Sequence, residues 1–130
     1  MAARVLIIDD DAEIRESLRD VLEAESYDVM TAENGRDGLE RLSQVKPSLV
    51  LLDLMMPIMS GGELLAVLRE RDELTALPIV VLSAWPVEAE QVKAWTQGYL
   101  KKPVSLDALL SVVEKFCGPP APASNEEPAR

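Results

Sequence analysis

Short apolar runs alternate along the chain with stretches in which apolar residues recur every three or four positions. Residues 5–8, 49–52 and 79–82 are continuous apolar runs of four, the pattern of strands buried on both faces. Residues 28–32 and 99–101 read as two further short strands. Between them the spacing changes. Ile14, Leu18, Val21 and Leu22 mark a helix over 12–25, and Leu39 and Leu42 one over 35–45 with Pro47 just beyond its end. Leu64, Leu65, Val67 and Leu68 mark a helix over 61–71, a weaker pattern covers 87–96, and Leu106, Leu109, Leu110 and Val113 line a last helix over 106–116. Five strands alternating with five helices predict a (βα)5 doubly wound α/β domain. Its five-stranded parallel sheet is covered on both faces and joined by right-handed crossovers. In such a sheet the ligand site lies beyond the carboxyl ends of the strands.

The chemistry is therefore to be sought in the residues just past each strand. The first strand runs into Asp9-Asp10-Asp11, the third into Asp53, the fourth into Ser83-Ala84, and the fifth into Lys101-Lys102-Pro103. With the first and third strands as neighbours, Asp9, Asp10 and Asp53 converge, and clustered carboxylates repel unless a cation offsets them. Oxygen ligands without His or Cys favour Mg2+ or Mn2+. Ser83 and Lys102 at the same rim could hold two oxygens of a phosphoryl group, so the combined chemistry is phosphoryl transfer to or from a carboxylate. Each residue has a plainer reading. Asp11 is best read as the cap of the first helix, Lys101 as a surface lysine, Ser83 as a turn hydroxyl and Tyr99 as a half-buried core residue. Asp53 resists such a reading, because an acid ending a buried strand needs a partner.

Composition narrows the partners. The 130 residues carry a formal charge of −10, which argues against nucleic acid and anionic membranes as ligands of this chain. There is no histidine, which removes His-ligated zinc and a His general base; the lone Cys117 fits a reducing cytoplasm. No apolar stretch approaches a signal peptide or a membrane span. Residues 4–117 are expected to form the folded domain, and the Pro/Ala-rich segment 118–130 a flexible tail or linker.

The ordered set Ile7-Ile8-Asp9-Asp10-Asp11, Leu51-Leu52-Asp53-Leu54-Met55-Met56-Pro57, Gly61, Leu82-Ser83-Ala84 and Tyr99-Leu100-Lys101-Lys102-Pro103 resembles the receiver domain of two-component response regulators, over about residues 4–117. The resemblance implies a flavodoxin-like fold with strand order 2-1-3-4-5. It also implies a cytoplasmic switch that is not an enzyme in the ordinary sense. Asp53 would be the phosphoacceptor, served by a histidine kinase or a His-containing phosphotransfer protein and acting on a downstream protein target. It implies Mg2+ held by Asp10, by Asp9 through water, by Asp53 and by the Met55 backbone carbonyl. Lys102 would contact the phosphoryl group, and Ser83 and Tyr99 would form the switch pair. Met55 and Trp85 would gate the in-line approach of water, and because neither offers a group to orient it, the acyl phosphate should be long-lived. The spacing between Ser83 and Lys102 is about three residues short of the family's, and Trp95-Thr96-Gln97-Gly98 replaces its usual small turn, so the fourth helix departs from the pattern. Two other readings compete: a degenerate receiver serving as a phosphorylation-independent adaptor, and an aspartate-nucleophile phosphatase, which Glu13 and the lack of room for a cap domain disfavour. Incubation with Mg2+ and acetyl phosphate or phosphoramidate separates the three.

Overall fold

The computed structural model describes residues 3–73 and 76–119. The predicted tail thus falls, from residue 120 on, outside the described residues. The chain order is β1 (Arg4–Ile8), α1 (Ala12–Ala24), β2 (Asp28–Ala32), α2 (Gly35–Gln44), β3 (Leu49–Asp53), α3 (Gly61–Glu70), β4 (Ile79–Ser83), α4 (Pro86–Gln91), β5 (Gly98–Lys101) and α5 (Leu106–Cys117). The five strands form one parallel sheet in the order β2-β1-β3-β4-β5. The chain winds outward from β1 to β2, then crosses to the other side to lay down β3. β1 and β3 therefore flank the point where the order reverses, and the loops leaving them open a crevice there.

Both faces of the sheet are covered. Leu6, Ile8, Val50, Leu52, Ile79 and Val81 point to a layer completed by α2, α3 and α4 through residues such as Leu39, Leu64, Leu68 and Ala89. Val5, Ile7, Leu49, Leu51, Val80 and Leu82 point to the opposite layer, completed by α1 and α5 through Leu18, Leu22, Leu109 and Val113. Each helix after a β-strand starts from a polar cap where the sequence supplies one. The Asp11 carboxylate accepts from the Glu13 and Ile14 amides, and Asn34 and Ser105 cap α2 and α5. Ser60 and Glu63 form a reciprocal capping box on α3.

The predicted elements are all present, with ends shifted by a residue or so, except at the fourth helix. The pattern over 87–96 is instead a six-residue α4 begun one residue earlier by Pro86, whose fixed φ and missing amide suit a first turn. A 3-10 turn over Lys93–Trp95 comes next. The cause is the short crossover, since residues 84–97 must lead from the end of β4 back to the start of β5. Gln97 ties its end to the start of β4: its amide donates to the Ile79 carbonyl at 2.7 Å and its side-chain oxygen accepts from the Ile79 amide at 2.7 Å. Trp95 folds onto the α3 side of the sheet under the Arg69 guanidinium, 4.2 Å from the ring centroid, a cation–π contact.

Candidate functional site

The strand ends bring their polar residues to one cleft of about 240 Å3, lined by Asp10, Asp11, Asp53, Met55, Ser83, Ala84, Trp85, Glu88 and Lys102. Asp53 is the last residue of β3 and pairs in register with Leu82, while Ser83 pairs with Lys101. Register thus sets the acid, the hydroxyl and the adjoining Lys102 side by side. Asp9, directly after β1, is fully buried; its Oδ1 accepts from the Asp11 amide at 2.9 Å. Lys102 Nζ lies 2.9 Å from Asp9 Oδ2 and 3.3 Å from Asp53 Oδ1, one ammonium between two buried carboxylates. That approach to Asp9 Oδ2 is not directed as a hydrogen bond, and Oδ2 has no other partner. Asp10, Asp9 and Asp53 each offer a carboxylate oxygen within 4.8 Å of the others'. Three converging carboxylates, two of them buried and sharing a single ammonium, fit a hard divalent cation.

Ser83 is anchored at both ends. Its carbonyl accepts from the Lys102 amide at 2.9 Å and the Tyr99 hydroxyl at 3.0 Å. Its hydroxyl accepts from the Trp85 amide at 3.0 Å and lies 2.9 Å from Glu88 Oε1 and 3.2 Å from the Trp85 carbonyl. Met55 and Trp85, 64% and 61% exposed, stand at the mouth of the cleft. The backbone behind Asp53 is fixed by α3. A Cβ on Gly61 would lie 2.5 Å from the Asp53 carbonyl oxygen and 2.9 Å from Leu54 Cα, so the helix approaches this closely only through a glycine.

The family model for the response regulator receiver domain matches residues 5–114. The chain belongs to the response regulator receiver domain family. This receiver is 42% identical over 116 residues to the sensor histidine kinase TmoS of Ectopseudomonas mendocina, covering 87% of this chain and 12% of that protein. It is 40% identical over 114 residues to the response regulator MprA of Mycolicibacterium vanbaalenii, covering 85% and 48%. The receiver therefore spans about half the length of MprA and a small part of TmoS. Among solved structures, the response regulator TrrA of Thermotoga maritima, in complex with Mg2+-BeF, superposes with a TM-score of 0.78 at 32% identity, covering 89% of this chain and 99% of that one.

The electrostatics of the receiver's cleft derive from burial. Asp53 is pushed up to about 7, first by burial and then by the neighbouring Asp9 charge; Lys102 counters both without cancelling them. Burial works against the charge on Lys102, but its contacts with Asp9 and then Asp53 outweigh that and hold its pKa above the ordinary lysine value. Sequence reasoning brought every residue of this cleft forward except Glu88. Glu88 puts a carboxylate into a cleft whose rim residues Met55 and Trp85 are apolar, so the absence of a water-orienting group holds for those two residues and not for the cleft as a whole. The available signal was its place in the first turn of the fourth helix, three residues after Trp85.

Proposed function

We propose that residues 4–117 act as a phosphorylation-activated switch in which Asp53 accepts a phosphoryl group from a phosphohistidine donor. The observation that carries this is the buried Asp53 carboxylate, set by β3 beside Lys102 and open to solvent only through the cleft. In the reaction the ionised carboxylate oxygen attacks phosphorus, the phosphorus–nitrogen bond of the donor breaks, and the imidazole leaves with a proton. This sequence contains no histidine, so the donor is supplied by another segment or another molecule, a histidine kinase or a His-containing phosphotransfer protein. Lys102, already between Asp9 and Asp53, faces the charge that accumulates on the transferred group. Asp9, Asp10, Asp53 and the Met55 carbonyl would hold Mg2+ or Mn2+, which when bound offsets carboxylate repulsion and the charge of the phosphoryl oxygens. Mg2+ in the TrrA complex supports this assignment. Ser83 would donate its hydroxyl to a phosphoryl oxygen, and Tyr99, bonded to the same residue's carbonyl, would pass the rearrangement to the face of α4, β5 and α5. Met55 and Trp85 would flank the in-line approach. Among the described residues no helix is long and apolar enough to cross a membrane, which suits a cytoplasmic setting.

The test is incubation with phosphoramidate and Mg2+, read by intact-mass spectrometry. The expected result is one added phosphoryl group on the natural sequence and none on Asp53→Asn, which keeps the shape and removes the nucleophile. Undiminished phosphorylation of Asp53→Asn would overturn the assignment.

A further inference from the structure

Ser83 has one hydroxyl hydrogen and, in this structure, two acceptors for it: Glu88 Oε1 at 2.9 Å and the Trp85 carbonyl at 3.2 Å. The carboxylate is nearer and charged, so the proton goes there. The Trp85 amide occupies the oxygen's acceptor side at 3.0 Å. The hydroxyl is thus fully committed, and its partner is a half-buried carboxylate that lines the same cleft as Asp53 and Lys102. Glu88 makes no salt bridge among the described residues, whereas Lys102 in the same cleft is engaged by Asp9 and Asp53. Serine is therefore the polar partner that the structure gives the Glu88 side chain.

We propose that Glu88 is a positioning residue that latches Ser83: it competes with the incoming phosphoryl group for the single Ser83 proton and so holds the receiver in its unphosphorylated arrangement. The inference rests on the phosphoacceptor reading of Asp53. When the phosphoryl group arrives, Ser83 can donate to it only by releasing Glu88. The freed carboxylate then faces a group of like charge in the same cleft and is driven outward. Glu88 sits in the first turn of α4, a helix of only six residues that buries Ala89 alone, so its departure moves that helix. The latch thereby converts the capture of one proton into displacement of the fourth crossover.

The experiment is a double-mutant cycle of Glu88→Ala and Ser83→Ala, with phosphoramidate and Mg2+ as the phosphoryl source and the phosphorylation rate as the readout. A charge-assisted hydrogen bond in a half-buried setting biases an equilibrium about tenfold. Glu88→Ala is expected to speed phosphorylation by about that factor when Ser83 is present and to change nothing further in Ser83→Ala, with Glu88→Gln, which keeps an acceptor, between the two. Equal acceleration in both backgrounds means charge repulsion without a latch and overturns the proposal, as does no acceleration in either. A second measurement needs no phosphoryl group: NMR couplings across the Ser83 Cα–Cβ bond are expected to show one rotamer in the unphosphorylated receiver and averaging in Glu88→Ala. Averaging already in the natural sequence overturns the latch. A single rotamer in a receiver that takes no phosphoryl group at all overturns the phosphoacceptor reading, and the competition proposed here with it.

Discussion

At the residue scale, the ionised form of Asp53 is expensive in the metal-free fold, because it is buried and faces Asp9. Its pKa, raised from the ordinary aspartate range to about 7, gives the sign of a stability effect. Between the two values the folded chain binds more protons at this site than the unfolded chain does. The stability it contributes is thus complete below the unfolded pKa and is lost as pH rises through about 7. With a chelator present, the urea midpoint is expected to fall between pH 5 and pH 8 more steeply for the natural sequence than for Asp53→Asn, and millimolar Mg2+ is expected to restore it at pH 8 by binding the ionised acids. Equal slopes for the two proteins would mean that Asp53 does not titrate in that range. Asp9, Asp10, Asp53 and Lys102 were legible in the sequence because each comes at or just past the end of a strand, so strand direction alone aims it at the crevice. Glu88 was not, because it lies past the end of β4, inside α4, where strand direction no longer aims a side chain at the crevice.

At the element scale, the approach of α3 to β3 decides where Asp53 sits. Gly61→Ala would drive a methyl group into the Asp53 carbonyl and Leu54 Cα, backbone atoms that cannot swing aside. The expected cost is about 1–3 kcal/mol of stability, with shifted amide resonances at Asp53 and Leu54. Gly62 provides the contrast. Its nearest neighbour for a Cβ is Ser60 Oγ at 3.9 Å, so Gly62→Ala is expected to stabilise by up to about 1 kcal/mol through helix propensity. Denaturant midpoints of the two variants check both, and equal effects would remove the steric argument. The fourth crossover shows where local reading stops. Its composition suggested one helix, but the short span between β4 and β5 imposed a brief helix, a 3-10 turn and the Gln97 bridge to Ile79. That outcome is set by distance between strands, which spacing along the chain does not encode.

On the scale of the whole molecule, one sheet serves two apolar layers, so neither layer can melt without exposing the back of the other. Leu22 in one layer and Leu68 in the other are fully buried. Leu22→Ala and Leu68→Ala are each expected to cost about 2–5 kcal/mol, and their effects should add, since they sit on opposite faces. Denaturant unfolding monitored by circular dichroism and by amide exchange should remain a single coincident transition in each variant; separate transitions would show that the layers are independent. The alternation of elements was readable from hydrophobic spacing, whereas the strand order was supplied by resemblance, because no pattern within a strand says which neighbour it pairs with.

The two tryptophans of the chain lie in contrasting surroundings. Trp85 stands exposed at the mouth of the cleft, and Trp95 lies half-buried beneath Arg69 on the α3 side. The receiver therefore carries its own pair of optical probes, one reporting on what enters the cleft and the other on the seating of the fourth crossover. A dissolved quencher such as acrylamide reaches the first indole far more readily than the second. Emission resolved by quencher accessibility thus separates occupancy of the cleft from movement behind it, in the unlabelled protein.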